Sequence, residues 1–196
     1  MYKKFFMVLF SFALIIQGCS IFKSNNLIKI TKANSIIETT ISTSKEKNTL
    51  VDWNAPSGGP YPTIDKNHLI SIEASIDEQK IYIKQNNHTI YTMITSSGLD
   101  TEESNTTPRG TYHIEPERNE WFYSPKFNEG AKYWVSWKGH GNFLFHSVPM
   151  DQNKNVIKEE AEKLGKKSSH GCFRLTIPDA KWIFENIPEH TELIIK

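Results

Sequence analysis

A histidine, a glycine and a cysteine lie side by side in the segment SSHGCFRL, residues 168–175, and an arginine follows two positions later. A cysteine thiol acts as a nucleophile in its thiolate form, which needs a base or a positive charge nearby. The chain contains only two cysteines, Cys19 and Cys172. A reactive thiol is therefore predicted at Cys172, and pairing with an imidazole base would raise its thiolate fraction.

The base that activates such a thiol usually comes from another part of the fold, because it must meet the sulfur edge-on. His146 ends the apolar run NFLFH, and a strand there would hold the imidazole rigidly. We expect its other ring nitrogen to bond the carbonyl group of Ser147. His146 is therefore the predicted base, and a hydrogen-bonded structural histidine is the alternative for this residue taken alone.

Two neighbours of Cys172 are predicted to contact the substrate. Gly171 permits a sharp turn that would present the N–H groups of Gly171 and Cys172 to a carbonyl oxygen, as an oxyanion hole. Arg174 lies on the same face as Cys172 if the segment is extended, and a guanidinium there suits a substrate carboxylate. A surface salt bridge is the alternative for Arg174.

The elements that must position these residues begin after Val51, where the aromatic residues are concentrated. Alternating and β-branched runs predict strands, Asn86-Asn87 is a predicted hairpin turn, and Pro178 suits the start of a helix. The predicted strands cover residues 69–76, 80–85, 88–95, 110–115, 131–137, 142–146 and 191–196, and the predicted helices cover 158–164 and 178–186. This pattern indicates a mainly β domain, a sandwich or small barrel with peripheral helices.

The segment FHS at 145–147 followed by SSHGCFRL resembles the signature of the L,D-transpeptidase (YkuD-type) catalytic domain, a family of cysteine enzymes that cross-link bacterial peptidoglycan. The resemblance extends to SSGLDTEESNTTPRGTYHI, residues 96–114, and to PDAKWIFENIPEHTELII, residues 178–195. It covers about residues 67–196 and implies an L,D-transpeptidase-type β-sandwich.

The resemblance also implies roles for single residues. Cys172 corresponds to the nucleophile, His146 to its base, Ser147 to the group that orients the imidazole through its backbone, and Arg174 to a substrate contact. His170 and Gly171 match the motif positions beside the nucleophile. The implied reaction is acyl transfer between peptidoglycan stem peptides through a thioester, without a metal or an organic cofactor. The segment 147–168 is an insertion relative to compact members, and its helix is expected to lie beside the active-site groove as a lid or as a wall of the acceptor side.

Three other functions fit parts of this pattern. Cys172, His170 and His146 could ligate zinc, but a structural zinc site needs four ligands and commonly a second nearby cysteine, which is absent from the sequence. A wall-binding lipoprotein without turnover would not need the reactive residues that this chain keeps. Hydrolysis of the same thioester by water would instead make the protein an L,D-carboxypeptidase.

The N-terminal residues are typical of an export signal. Lys3 and Lys4 precede an apolar stretch at 5–16, which is too short to span a bilayer, and the stretch ends in IIQGCS. This ending resembles the lipobox of bacterial lipoproteins, which implies cleavage before Cys19 and lipid attachment to its sulfur. An ordinary secretory signal is the alternative.

These features predict a signal peptide at 1–18, a flexible tether at 19–52 and a catalytic domain at 53–196 that starts with the turn-rich segment WNAPSGGPYP. Lipid on Cys19 would anchor the protein to the outer face of the cell membrane. The 23 basic and 22 acidic residues are balanced, which argues against a nucleic-acid partner. Peptidoglycan stem peptides and the membrane are the expected partners, and we expect a monomer.

Overall fold

The computed structural model describes residues 50–65 and 67–196. The predicted signal peptide at 1–18, the predicted lipidation site Cys19 and almost all of the predicted tether at 19–52 lie outside the described residues. Among the described residues, no helix has both the length and the apolar character that crossing a membrane requires.

The described part of the chain is mainly β, as the sequence predicts. Its strands and helices are β1 (Ile70–Ser75), β2 (Lys80–Gln85), β3 (His88–Ile94), β4 (Gly110–His113), β5 (Arg118–Ser124), β6 (Glu129–Lys138), β7 (Phe143–Ser147), α1 (Lys158–Ala161), β8 (Phe173–Leu175), α2 (Ile177–Asn186) and β9 (Glu192–Ile195). The predicted hairpin turn at Asn86-Asn87 is confirmed, because both residues have the positive φ that such a turn requires. Strands β5 and β8 were not predicted.

The strands form two mixed sheets. The first has the order β3-β2-β1-β9-β4, in which β1 and β9 are parallel. The second has the order β5-β6-β7-β8, in which β7 and β8 are parallel and the other pairs are antiparallel. Because β7 pairs with β8, the sequence motifs at 145–147 and 168–175 lie side by side in the second sheet.

One large hydrophobic core is made of apolar side chains from both sheets and from α2. The first sheet contributes aliphatic residues such as Ile72, Ile81 and Ile83, whereas the second contributes aromatic ones. Trp137, Phe145 and Phe173 are fully buried, and the rings of Phe145 and Phe173 stack with 5.3 Å between their centroids. Phe145 and Phe173, which adjoin the predicted catalytic residues His146 and Cys172, are therefore fixed by packing.

Candidate active site

The parallel pair β7 and β8 positions the two principal predicted residues. His146 lies directly opposite Arg174 in the register, and Phe145 lies opposite Phe173. Side chains alternate between the two faces of a strand, so the face that carries His146 also carries Arg174 and, two residues earlier, Cys172. The backbone N–H of Leu144, on the same strand as His146, lies 3.3 Å from the sulfur of Cys172. His146 and Cys172 line the same cavity.

A tight loop presents Cys172 at the start of β8, and Gly171 makes its geometry possible. Gly171 has a φ of +120°, and a Cβ placed there would lie 2.8 Å from Cε1 of Phe143 and 3.1 Å from the carbonyl oxygen of Thr106. The hydroxyl of Ser169 closes the loop by donating to the carbonyl of Cys172 at 2.6 Å and accepting from the N–H of Gly171 at 3.0 Å. The Gly171 N–H is therefore occupied here and is not free for the predicted oxyanion hole.

The segments that extend the family resemblance support this loop from behind. The Thr107 hydroxyl donates to the carbonyl of Gly171 and accepts from the N–H of Gly98, both at 2.8 Å. The N–H groups of Ser168 and Ser169 both donate to the carbonyl of Ser97. The loop that carries Cys172 is thus held by backbone and hydroxyl contacts on both sides.

The orientation of His146 is fixed by the contact that the sequence predicted. Its Nδ1 lies 2.7 Å from the carbonyl oxygen of Ser147, which leaves Nε2 for the cavity. The ring of Phe122 meets the imidazole edge-to-face at 5.6 Å. Burial, aided by the positive charge of Arg174, lowers the pKa of His146 to about 4. The imidazole is therefore neutral at physiological pH and able to accept a proton.

Cys172 is partly buried and its thiol is protonated at rest. Burial raises the pKa of Cys172 to about 11, although the Leu144 N–H and the charge of Arg174 act in the opposite direction. The same low-polarity surroundings thus favour the neutral forms of both the imidazole and the thiol. This differs from the raised thiolate fraction that the sequence predicts, because a nearby neutral imidazole does not compensate for lost hydration.

The cavity in front of Cys172 has a volume of about 320 Å³, and the β5–β6 hairpin forms one of its walls. The hairpin contributes Phe122, Phe127, Glu129 and Trp134, none of which was a predicted site residue. Of residues 147–168, only Pro149 lines the cavity. Helix α1 therefore does not form the expected wall of this cavity, and aromatic side chains of the β5–β6 hairpin line it instead. A role of this helix as a lid stays a prediction.

The predicted residue beside the nucleophile, His170, lies at the rim of the same cavity. Its side chain is exposed and stacks on Phe127 of the hairpin, with 4.2 Å between the ring centroids. The stack joins the loop that carries Cys172 to the tip of the hairpin. His170 therefore lies at the entrance of the cavity, whereas the buried His146 lines its interior.

Arg174 lines the cavity but its guanidinium already has two partners. Its Nη1 lies 2.8 Å from Glu160 of α1, and its Nη2 lies 3.0 Å from Glu129 of β6. The side chain is only 4% exposed, whereas both glutamates are somewhat more than 20% exposed. Arg174 thus joins the insertion at 147–168 to the β5–β6 hairpin. The predicted contact with a substrate carboxylate stays a prediction.

Replacing Arg174 with alanine is expected to destabilise the fold by about 3–5 kcal/mol, because the carboxylates of Glu129 and Glu160 would be left without their shared cation. Equilibrium denaturation measures this loss. A variant that also carries Glu129→Gln and Glu160→Gln should regain much of it. An Arg174→Ala protein of unchanged stability that forms the thioester slowly would instead favour the predicted substrate contact.

The residues around Cys172 are not arranged as a metal site. In the described part of the chain, the only three potential ligands with donor atoms within 4.8 Å of one another are Glu115, Glu117 and His140. Glu115 and Glu117 lie between β4 and β5, and His140 lies in the β6–β7 turn, where its Nδ1 is 2.8 Å from a Glu117 carboxylate oxygen. The zinc alternative, which needs Cys172, His170 and His146 as ligands, gains no support from this geometry.

Comparisons with known proteins identify the family of this chain. A family model described as the L,D-transpeptidase catalytic domain, YkuD, matches residues 70–195. The chain therefore belongs to the L,D-transpeptidase family. It is 58% identical over 159 residues to the Bacillus subtilis (strain 168) protein named "Putative L,D-transpeptidase YciB", and the match covers 81% of each chain.

The fold is also similar to solved structures. An L,D-transpeptidase from Mycobacterium smegmatis matches with a TM-score of 0.53 and 18% identity, and LD transpeptidase LdtMt1 in complex with imipenem matches with 0.52 and 21%. Each match covers 66% of this chain and 59% of the other, so the chain spans about three fifths of the length of those proteins. At these identities the likeness shows the fold.

Proposed function

We propose that this protein forms peptidoglycan cross-links through a thioester on Cys172, releasing the terminal D-alanine of a tetrapeptide stem. The observation that carries the proposal is the placement of Cys172, immediately before β8, and of an oriented, neutral His146 on the parallel strand β7, so that both line one cavity. A thiol and a base held in this way are the parts that acyl transfer requires. Membership of the family supplies the class of substrate.

The neutral state of both groups defines the order of events in the first step. The thiol of Cys172 gives its proton to Nε2 of His146 as the sulfur attacks the carbonyl carbon of the third stem residue. The carbonyl group of Ser147 stabilises the resulting imidazolium through Nδ1. The bond to D-alanine then breaks, and His146 returns the proton to the leaving amine. In the second step an amine of another stem attacks the thioester and releases the thiol.

The aromatic walls of the cavity favour an amine over water as the group that attacks the thioester. Phe122, Phe127 and Trp134 surround the approach to Cys172 with aromatic surface. Such a surface reduces access of water to the thioester. We therefore favour cross-linking over the L,D-carboxypeptidase alternative, which differs only in the nucleophile that reaches the acyl-enzyme.

Incubation of the purified domain with a tetrapeptide stem should yield a covalent adduct on Cys172 and free D-alanine. Intact-protein and peptide mass spectrometry would locate the adduct, and analysis of the products would separate a cross-linked dimer from a hydrolysed tripeptide. The imipenem complex of LdtMt1 suggests imipenem as a second acylating probe. Cys172→Ala is the control. An adduct that forms equally in this variant, or no turnover by the wild type, would contradict the proposal.

We further propose that Cys19 carries the lipid that anchors the domain to the outer face of the membrane. The support is the lipobox-like sequence IIQGCS after a short apolar segment. Cys19→Ala should move the protein out of the membrane fraction or leave it unprocessed, because two acyl chains suffice for stable anchoring whereas the tether alone does not. Fractionation with fatty-acid labelling tests this. A wild-type protein that takes up no label would exclude the lipid.

A further inference from the structure

We propose that Glu129 binds the side-chain ammonium group of the acceptor stem peptide and so selects an amine, rather than water, to resolve the thioester. The inference rests on the proposed transpeptidase function. It assigns a specificity-determining role to a residue that the sequence motif does not contain.

The carboxylate of Glu129 is accessible from the cavity of Cys172. Glu129 begins β6, lines that cavity together with Cys172 and His146, and is 23% exposed. Its Oε2 lies 3.0 Å from Nη2 of Arg174. Within residues 50–65 and 67–196, no group donates a hydrogen bond to its Oε1. One carboxylate oxygen is therefore held in place while the other is able to accept a ligand.

Glu129 is also the last member of a row of alternating charges. Lys163 contacts Glu160 at 2.5 Å, Glu160 contacts Arg174 at 2.8 Å, and Arg174 contacts Glu129. The row begins on the surface of the insertion and ends in the cavity. A cation bound at Glu129 would continue the alternation, whereas an anion would meet a carboxylate. The row therefore favours an ammonium ligand at this end.

The rest of the cavity surface suits the same ligand. Apart from the two histidines, Arg174 and Glu129 are the residues with charged side chains among those that line it. Arg174 is only 4% exposed and is shared between two carboxylates, so Glu129 presents the accessible charge. Phe122, Phe127 and Trp134 surround the cavity with aromatic rings, whose faces attract cations. The site thus combines a carboxylate with aromatic walls.

An ammonium group held by Glu129 would enter the second acyl transfer directly. It loses one proton to solvent, and the resulting amine attacks the thioester carbonyl carbon. The carbon–sulfur bond breaks as the new carbon–nitrogen bond forms. A second proton passes from the amine to His146 and from there to the sulfur of Cys172. The products are an amide cross-link and the free thiol.

Two matched variants separate binding of the acceptor ammonium group by Glu129 from an indirect effect through its ion pair with Arg174. Glu129→Gln removes the cavity carboxylate, whereas Glu160→Gln removes the other carboxylate that pairs with Arg174 and lies away from the cavity. The donor is a tetrapeptide whose side-chain amine is acetylated, so that it forms the thioester but cannot act as an acceptor. The acceptor is a tripeptide stem with a free side-chain amine at its third residue. Thioester formation and its resolution are then measured separately by mass spectrometry.

We expect Glu129→Gln to form the thioester at nearly the wild-type rate but to raise the KM for the amine acceptor about 10- to 100-fold, the scale of one lost charge-assisted contact. The fraction of thioester that is hydrolysed should rise accordingly. Glu160→Gln should change neither quantity more than about twofold, and Glu129→Asp should recover part of the acceptor affinity. Resolution by hydroxylamine, an uncharged nucleophile, should be the same in Glu129→Gln and wild type.

Several results would overturn the assignment. An unchanged acceptor KM in a Glu129→Gln protein that melts like the wild type would exclude an ammonium contact. Equal increases in Glu129→Gln and Glu160→Gln would show that the effect passes through Arg174. If the wild type forms no thioester at all, the proposed function itself fails, and this outcome is distinct from both.

Discussion

Replacing His146 with alanine should slow acylation of Cys172 by about 10²- to 10⁴-fold, the range that a positioned general base contributes. The effect is expected to be large because burial raises the pKa of Cys172 to about 11, so very little thiolate exists without a proton acceptor. Single-turnover mass spectrometry with a donor stem or imipenem measures the rate of adduct formation. Adduct location on Cys172 should not change.

His170 provides the matched control for this substitution. It lies two residues from Cys172 and lines the same cavity, but its ring is exposed and stacks on Phe127. His170→Ala should therefore slow acylation much less than His146→Ala. If His170→Ala had the larger effect, the base would have to be reassigned to the motif histidine.

The pH dependence of acylation tests whether the resting pair is neutral. The base works only when its imidazole is unprotonated, and the pKa of His146 is lowered to about 4. Acylation should therefore be constant across the neutral range and fall only as the pH drops towards about 4. A solvent-exposed histidine would lose half of its activity near its ordinary pKa of about 6.5. A wild-type profile that falls at that higher pH would contradict the buried, neutral imidazole.

Much of the fold was predictable because its strands have local patterns. The hairpin of β2 and β3 was found from alternation and from Asn86-Asn87, and α2 from its Pro-containing start. Strand β5 was missed although it contains the aromatic run WFY. Its first three residues are polar, and it shows no regular alternation of polar and apolar residues. Strand β8 has only three residues, and its pairing with β7 depends on contacts that no local pattern contains.

Contacts of the site between adjacent residues could be predicted from the sequence. Contacts with residues far away in the chain could not. The bond from His146 to the Ser147 carbonyl was inferred from adjacent residues, and it is present. The pairing of Arg174 with Glu129 and Glu160 joins residues 45 and 14 positions away, so the sequence could not separate a structural from a substrate-binding role. The neutral state of Cys172 likewise depends on burial, which only the packed structure determines.

Gly171→Ala is the second substitution for which we expect a large effect. The backbone there has a φ of +120°, and an added Cβ would lie 2.8 Å from Cε1 of Phe143 and 3.1 Å from the backbone oxygen of Thr106. Backbone strain costs about 1–3 kcal/mol and overpacking a similar amount, so the variant should be destabilised by roughly 2–5 kcal/mol. The neighbouring Cys172 would also shift, and a displacement of about 1 Å can slow acylation about 100-fold.

Gly141→Ala is the control that separates backbone strain from overpacking. Gly141 lines the same cavity at a φ of +105°, but no heavy atom lies within 4 Å of a Cβ added there. Gly141→Ala should therefore show the cost of backbone strain alone and acylate at nearly the wild-type rate. Equilibrium denaturation and single-turnover acylation of both variants give the comparison. Equal losses of stability would mean that the loop of Gly171 moves away from Phe143 without cost. Normal acylation by Gly171→Ala would mean that Cys172 does not depend on this close approach for its position.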